Sequence, residues 1–242
     1  MNRKQLSFTS AGILFATALF GFSVLNPVAV KSVYASCSST AGPGVDWEGC
    51  RKRNLIMTGS DFSGSNFSKA DLSSSDLRKA NLTGSNLAKA NLFRASLAGA
   101  KASGANFAGV VAYRTNFSKI DFTDANFNKA EIFRSEFSGS IIRSADMSKG
   151  EFSRVDFSGA QIGDTNFDYS NLARSDFRGT DLTAPISMKG TYLFRTRFEG
   201  VDISLISGLE AWQLSMACGN AATKLPDGMS RPNTWPCVEE TR

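Results

Sequence analysis

Histidine is missing from all 242 residues. That absence removes histidine triads, histidine metal sites and the commonest general base. Cysteine is scarce: Cys37, Cys50, Cys218 and Cys237 are the whole set. None of them forms a C-x-x-C pair, which argues against a zinc site. Long apolar runs are lacking too, and Ile13–Phe22 is too short to be read as a membrane span. Asp and Glu are plentiful, but their places follow a repeat, and nothing marks a cleft around a pair of them. No catalytic, cofactor-binding or metal-binding residue is assigned, and an enzyme is not expected.

The first 35 residues read as a secretory signal peptide. Arg3 and Lys4 give a basic start, the apolar run follows, and Val33-Tyr34-Ala35 fits a cleavage site. An uncleaved anchor and a lipoprotein acylated at Cys37 are the weaker alternatives. No stable membrane span is expected after cleavage. Residues 1–35 hold Arg3, Lys4 and Lys31 and no acid, so the mature chain would carry 24 basic and 22 acidic residues, a net of +2. The high pI is therefore no argument for nucleic acid, which is not expected as a partner. The expected address is the periplasm or the exterior, or the thylakoid lumen in a photosynthetic cell. Disulfides form in such compartments. Four cysteines allow three connectivities. Cys37–Cys50 with Cys218–Cys237 is favoured, because each pair is local and would staple one end.

What the chain does have is a period of five. Apolar residues stand at every fifth position from Phe62 to Leu182, mostly Phe and Leu, with Ala102 and Ala112 as small exceptions. After one inserted residue near Ala184-Pro185 the register resumes at Met188, Leu193, Phe198 and Ile203. Two residues before each centre the chain is small or β-branched, and one before it is usually Asp or Asn. Five suits neither a helix nor a strand. A short extended segment can point the small residue and the centre inward, and the two polar or Gly residues after the centre can turn the chain. Each unit then makes one side and one corner of a coil, and stacked coils bury a column of Phe and Leu. Ser and Thr at the small position would need backbone partners. A second period of 20 sets four sides per coil. Arg94, Arg114, Arg134, Arg154 and Arg174 follow it, and Arg195 rejoins after the insertion. About seven coils give a rod on the order of 35 Å long.

The chain resembles the pentapeptide-repeat family, whose pattern is A-[DN]-[LF]-x-x. The matching units include ADLSS (70–74), ANLTG (80–84), ANLFR (90–94), ANFAG (105–109), ANFNK (125–129) and SDFRG (175–179). The resemblance implies an all-β, right-handed, four-sided (quadrilateral) parallel β-helix solenoid. Local irregularity without a break is expected at Lys101-Ala102, Val111-Ala112 and Ile141-Ile142. The expected layout is a signal peptide over 1–35, an N-terminal cap over 36–59, the repeats over 60–206, and a C-terminal helix and tail over 207–242. Trp47 and Leu55-Ile56-Met57 are expected to plug the first coil. Ser207 and Glu210 suggest a capping box for a short helix with Leu209, Trp212 and Met216 on one face.

The candidate binding edge is the arginine column with its aromatic neighbours Phe93, Tyr113, Phe133 and Phe194. Guanidinium groups pair bidentately with phosphate, sulfate or carboxylate and stack on rings. The blander reading carries more weight at this point: Glu136, Asp156 and Asp176 follow the arginines by two, and Glu131 and Glu151 follow Lys129 and Lys149, so the columns could neutralise one another. The leading functional expectation is a non-enzymatic, exported scaffold or protein-interaction module. An anionic polymer or lipid headgroup on the arginine column is the alternative. A DNA-mimicking inhibitor or protector of gyrase, known in the family, comes last, because it needs a net-negative surface and a cytoplasmic address.

Overall fold

In a computed structural model of the chain, residues 36–237 are described, and the expected signal peptide lies outside them. The unit Asn81–Ser85 shows why five residues suffice for one side of a coil. Asn81 N–H donates back to Ser60 C=O (2.9 Å), and Leu82 N–H donates forward to Lys101 C=O (2.7 Å). Gly84 N–H donates to Ser103 C=O (2.9 Å), and Ser85 N–H donates to Leu82 C=O (3.0 Å), closing a β-turn. The fifth donor, Thr83 N–H, is taken by the side chain of Asn81 at 3.2 Å. Every N–H of the unit thus has an acceptor. The Asp or Asn of the repeat has a structural role: it caps the amide two residues on, as in an Asx-turn. Positive φ at the third turn residue, +63° at Gly84, gives the type II pattern.

Pairing steps by 20 residues along the chain, from Asp46↔Asn66 onward. One column therefore runs Asp46, Asn66, Asn86, Asn106, Asn126, Asp146, Asn166, Ser187 and Ser207, which at ~4.8 Å per layer spans about 38 Å. All pairing is parallel. Most rungs are isolated bridges, but short strands form as β1 (Val111–Tyr113), β2 (Glu131–Phe133), β3 (Ile141–Arg143), β4 (Gln161–Gly163), β5 (Asp181–Leu182), β6 (Ile186–Ser187) and β7 (Ile206–Ser207). They pair as β1-β2, β3-β4-β5 and β6-β7. Each three-residue strand begins where the Asp/Asn position holds Val111, Glu131, Ile141 or Gln161 instead. The ladder also runs unbroken through Lys101, which pairs with both Asn81 and Asp121.

The interior is a continuous Phe and Leu column. Phe107, Phe122, Phe127 and Phe137 are fully buried. Phe107 and Phe127 stack at 4.7 Å and 7°, and Phe122 meets Phe127 edge-on at 5.0 Å. The small position is filled mostly by Ala, Ser or Thr, with exceptions that include Val110, Ile120, Gly150, Val155 and Val201, and hydroxyls there find backbone acceptors. Ser85 donates to Leu82 C=O and Thr115 to Leu92 C=O. The inserted residue changes the step from 20 to 21, between Ile162↔Leu182 and Asn166↔Ser187. Gly163 makes room for it: a Cβ there would stand 2.6 Å from Thr183 Oγ1 and 3.0 Å from Ala184 Cβ.

Both ends differ from the expected plugs. At the start, Trp47 is buried against Phe62 and Phe67 and Met57 is buried as expected, but Leu55 is exposed and Ile56 is 87% exposed. Lys52 takes a centre position. Its Nζ sits 3.6 Å over the Trp47 ring and donates to Cys37 C=O, so the first coil is closed by a cation on an indole. At the far end, helix α1 spans Ala211–Met216 with Glu210, not Ser207, at its N-cap. Ser207 is committed to β7, paired with Ser187. Trp212 points outward (47% exposed); Gln213 and Leu214 are buried instead. Gln213 Nε2 donates to Met188 and Thr191 C=O, and its Oε1 accepts from Glu210 N–H. Trp235 covers the end, donating from Nε1 to Ala217 C=O. The cysteines pair as Cys37–Cys50 and Cys218–Cys237.

Candidate interaction surface

The second side of the coil carries centres Leu72, Leu92, Ala112, Ile132, Phe152, Leu172 and Leu193, all buried. Its far corner is the arginine column. Arg94 N–H donates to Tyr113 C=O, Arg114 to Phe133, Arg134 to Ser153, Arg154 to Ala173, Arg174 to Phe194 and Arg195 to Met216. The six residues are therefore vertical neighbours, one layer apart. All six have positive φ, between 49° and 60°. At such a corner Cα projects its side chain away from the barrel, which aims the guanidinium at solvent. Elsewhere the same corner position holds mostly Gly or Lys, as at Gly84 and Lys89, and also Asn54, Ser74, Asp124, Ser144, Asp164 and Tyr169. The near corner of this side holds Lys69, Lys89, Lys129 and Lys149, all exposed.

Between the corners lie the aromatic residues. Phe93 and Tyr113 stack at 5.6 Å with 10° between their planes. Arg94 lies 5.2 Å from the Phe93 centroid, and Arg114 lies 5.4 Å from that of Tyr113. Higher up, Arg174 and Arg195 lie 6.0 Å and 5.8 Å from the Phe194 ring, which stacks on Tyr192. Phe133 continues the row over Tyr113 in β2 and is half-buried.

The acidic neighbours do not close on the middle of the column. No carboxylate of a described residue lies within 4.0 Å of the guanidinium of Arg94, Arg114, Arg134 or Arg154. Glu136 shares a shallow recess with Arg114 and Arg134, without forming such a pair. Glu151 instead accepts from Asn171 Nδ2. The ion pairs that do form lie elsewhere: Lys69–Glu48, Arg78–Asp76, Arg178–Asp176 and Lys224–Asp202 are examples. The Arg78 fork holds the Asp76 carboxyl well below the usual carboxylate range. For Asp176, burial pushes the other way, and the Arg178 hydrogen bonds outweigh it. Among the described residues no cluster of Cys, Asp or Glu could hold a metal ion.

The pattern of the family described as pentapeptide repeats (8 copies) matches residues 56–92, 90–128, 152–183 and 160–200, half of the chain in all. The chain belongs to the pentapeptide-repeat family. Its fold is the family's right-handed quadrilateral β-helix. Solved pentapeptide-repeat structures similar to it include HetL of the cyanobacterium Nostoc sp. strain PCC 7120, described as involved in heterocyst differentiation regulation (18% identity, 76% of this chain and 84% of that one, TM-score 0.27). Another is the trypsin-treated plasmid-mediated fluoroquinolone resistance protein QnrB1 (16%, 78% and 91%, TM-score 0.35). A third is a pentapeptide-repeat protein of the Arabidopsis thaliana thylakoid lumen (22%, 55% and 83%, TM-score 0.33). No curated protein matches the chain.

Proposed function

We propose that this pentapeptide-repeat chain is a non-enzymatic, exported interaction module, a stiff post that offers its second side to a partner. One observation carries the reading: the guanidinium groups of Arg94, Arg114, Arg134 and Arg154 stand one layer apart on an outward corner, and no carboxylate of a described residue pairs with them. Glu136 lines the same recess as Arg114 and Arg134 and still forms no ion pair with either. The basic start and short apolar run at the N-terminus support export. The two disulfides support an oxidising compartment. A repeat wall with no histidine and no candidate metal cluster among the described residues supports a binding role over catalysis.

A second reading has the whole column track a linear polyanion, favoured by the regular ~4.8 Å spacing of its charges. Mimicry of duplex DNA is poorly served by a side with two basic corners. The test is affinity capture from the protein's own compartment with the mature chain, beside a variant with Arg94, Arg114, Arg134 and Arg154 all changed to Glu. The expected result is a bound species that the variant loses. An identical set captured by both would end the interaction reading.

A further inference from the structure

From Leu77 onward the charge distribution changes character: between Asp76 and Asp121 the chain contains no Asp or Glu. The pairs Asn81↔Lys101 and Lys101↔Asp121 show that this stretch winds through two full coils. Lys79, Lys89, Arg94, Lys101, Arg114 and Lys119 are all exposed on it. The rod therefore wears a positive belt at one level, whereas its remaining coils mix both signs. On the second side the belt coincides with the stacked pair Phe93 and Tyr113 and with Val111 beside Tyr113 in β1. Phe93 is 39% exposed and Val111 43%. The columns flanking the two arginines are neutral here, with Asn91 and Val111 on one side and Ser96 and Asn116 on the other.

We propose that this patch, centred on Arg94, Arg114, Phe93 and Tyr113, receives a carboxylate-bearing and partly apolar segment of another protein. The inference rests on the interaction reading above and narrows it to one level of the rod and one partner chemistry. Arg, Phe and Tyr at the centre with Lys and Asn at the rim is the composition of protein–protein hot spots. Ring stacking holds each guanidinium in place before the partner arrives, which lowers the ordering cost of binding. Carboxylates complement a belt without acids. A polysaccharide or a nucleobase is a poorer fit. Phe93 and Tyr113 lie face to face at 10°, so each spends one face on the other and they form no flat platform. The exposed ring edges and Val111 suit aliphatic side chains.

Fluorescence anisotropy with the oxidised mature chain tests this. The probes are a labelled peptide of alternating Glu and Leu, a Glu-only peptide of equal charge, polygalacturonate and heparin. The alternating peptide is expected to bind about tenfold tighter than the Glu-only peptide. Arg94→Ala with Arg114→Ala should weaken it about tenfold or more, and Arg134→Ala with Arg154→Ala less than about threefold. Arg94→Lys with Arg114→Lys guards against misfolding, since Lys already occupies this corner position at Lys89 and Lys129. That pair should also lose most of the affinity, because lysine keeps the charge but not the planar fork. Equal losses from either alanine pair, tighter binding of polygalacturonate or heparin, or no binding by any probe would overturn the proposal. The first two results leave the interaction reading standing. The capture experiment with the four-glutamate variant decides that reading separately.

Discussion

Phe127→Ala removes a ring at the middle of the interior column. Phe127 is fully buried, stacked on Phe107 at 4.7 Å and in contact with Phe122 at 5.0 Å and Phe137 at 5.9 Å. Its walls are backbone ladders pinned on both sides, so the tube has little freedom to collapse onto the void. A Phe→Ala change in such a site costs about 3–5 kcal/mol, transfer and cavity effects together. The lost ring contacts fall within that range. With a guanidinium slope of about 5 kcal/mol/M for a chain of this size, the unfolding midpoint should fall by about 0.6–1 M. Circular dichroism follows the coils, and fluorescence follows the buried end residues Trp47 and Trp235. Because coils couple through nearest neighbours, both signals should move. Phe93→Ala, on the exposed outside of the same rod, should cost less than about 1 kcal/mol. If Phe127→Ala cost under about 1 kcal/mol, or no more than Phe93→Ala, the continuous core would be refuted.

Other consequences follow from single residues. Gly150→Ala should destabilise by about 1–3 kcal/mol in the same titration, although Ala is normal at this repeat position, because the new Cβ would stand 2.5 Å from Phe152 Cε2. Gln213→Ala should cost on the order of 3 kcal/mol, since it strips partners from Met188 and Thr191 C=O and from Glu210 N–H; the Trp235 fluorescence transition should shift first. Asp202 is held down to about 2 by the Ser204 hydroxyl, the Lys224 ammonium and the Ser204 amide, below an ordinary 3.8. Its contribution is present above pH 3.8 and lost as pH falls through about 2. Asp202→Asn should flatten the acid dependence of the melting temperature in that window, lowering the melting temperature slightly near neutrality and matching the parent chain below about pH 2.

The repeat was legible because its physics is local. Each centre, each small residue and each corner is set within five residues, and the period of 20 follows from closing a square. What the pattern could not show is why Asp or Asn recurs: the reason is a side-chain bond to the amide two residues on, as from Asn81 to Thr83. Of the candidate site, the columns were readable and their pairing was not. Sequence spacing puts Glu136 two residues from Arg134, yet the corner at Arg134, with φ of 49°, turns between them. The ends were least legible, since each is a single solution with no repeat behind it. Lys52 sits at a centre position because Trp47 lies beneath its ammonium. Gln213, a polar residue, is fully buried because it serves three backbone groups. Trp235, not Trp212, is the buried tryptophan at that end.

The columns and the binding face both require every twentieth residue to stand directly over its predecessor. Spin labels at Ser74→Cys and Arg174→Cys, on one corner and five layers apart, measure this by pulsed electron–electron resonance. The prediction is a single narrow distribution near 24 Å, from about 4.8 Å per layer. A broad distribution, or one centred beyond about 35 Å, would contradict the stacked columns and the binding face built on them.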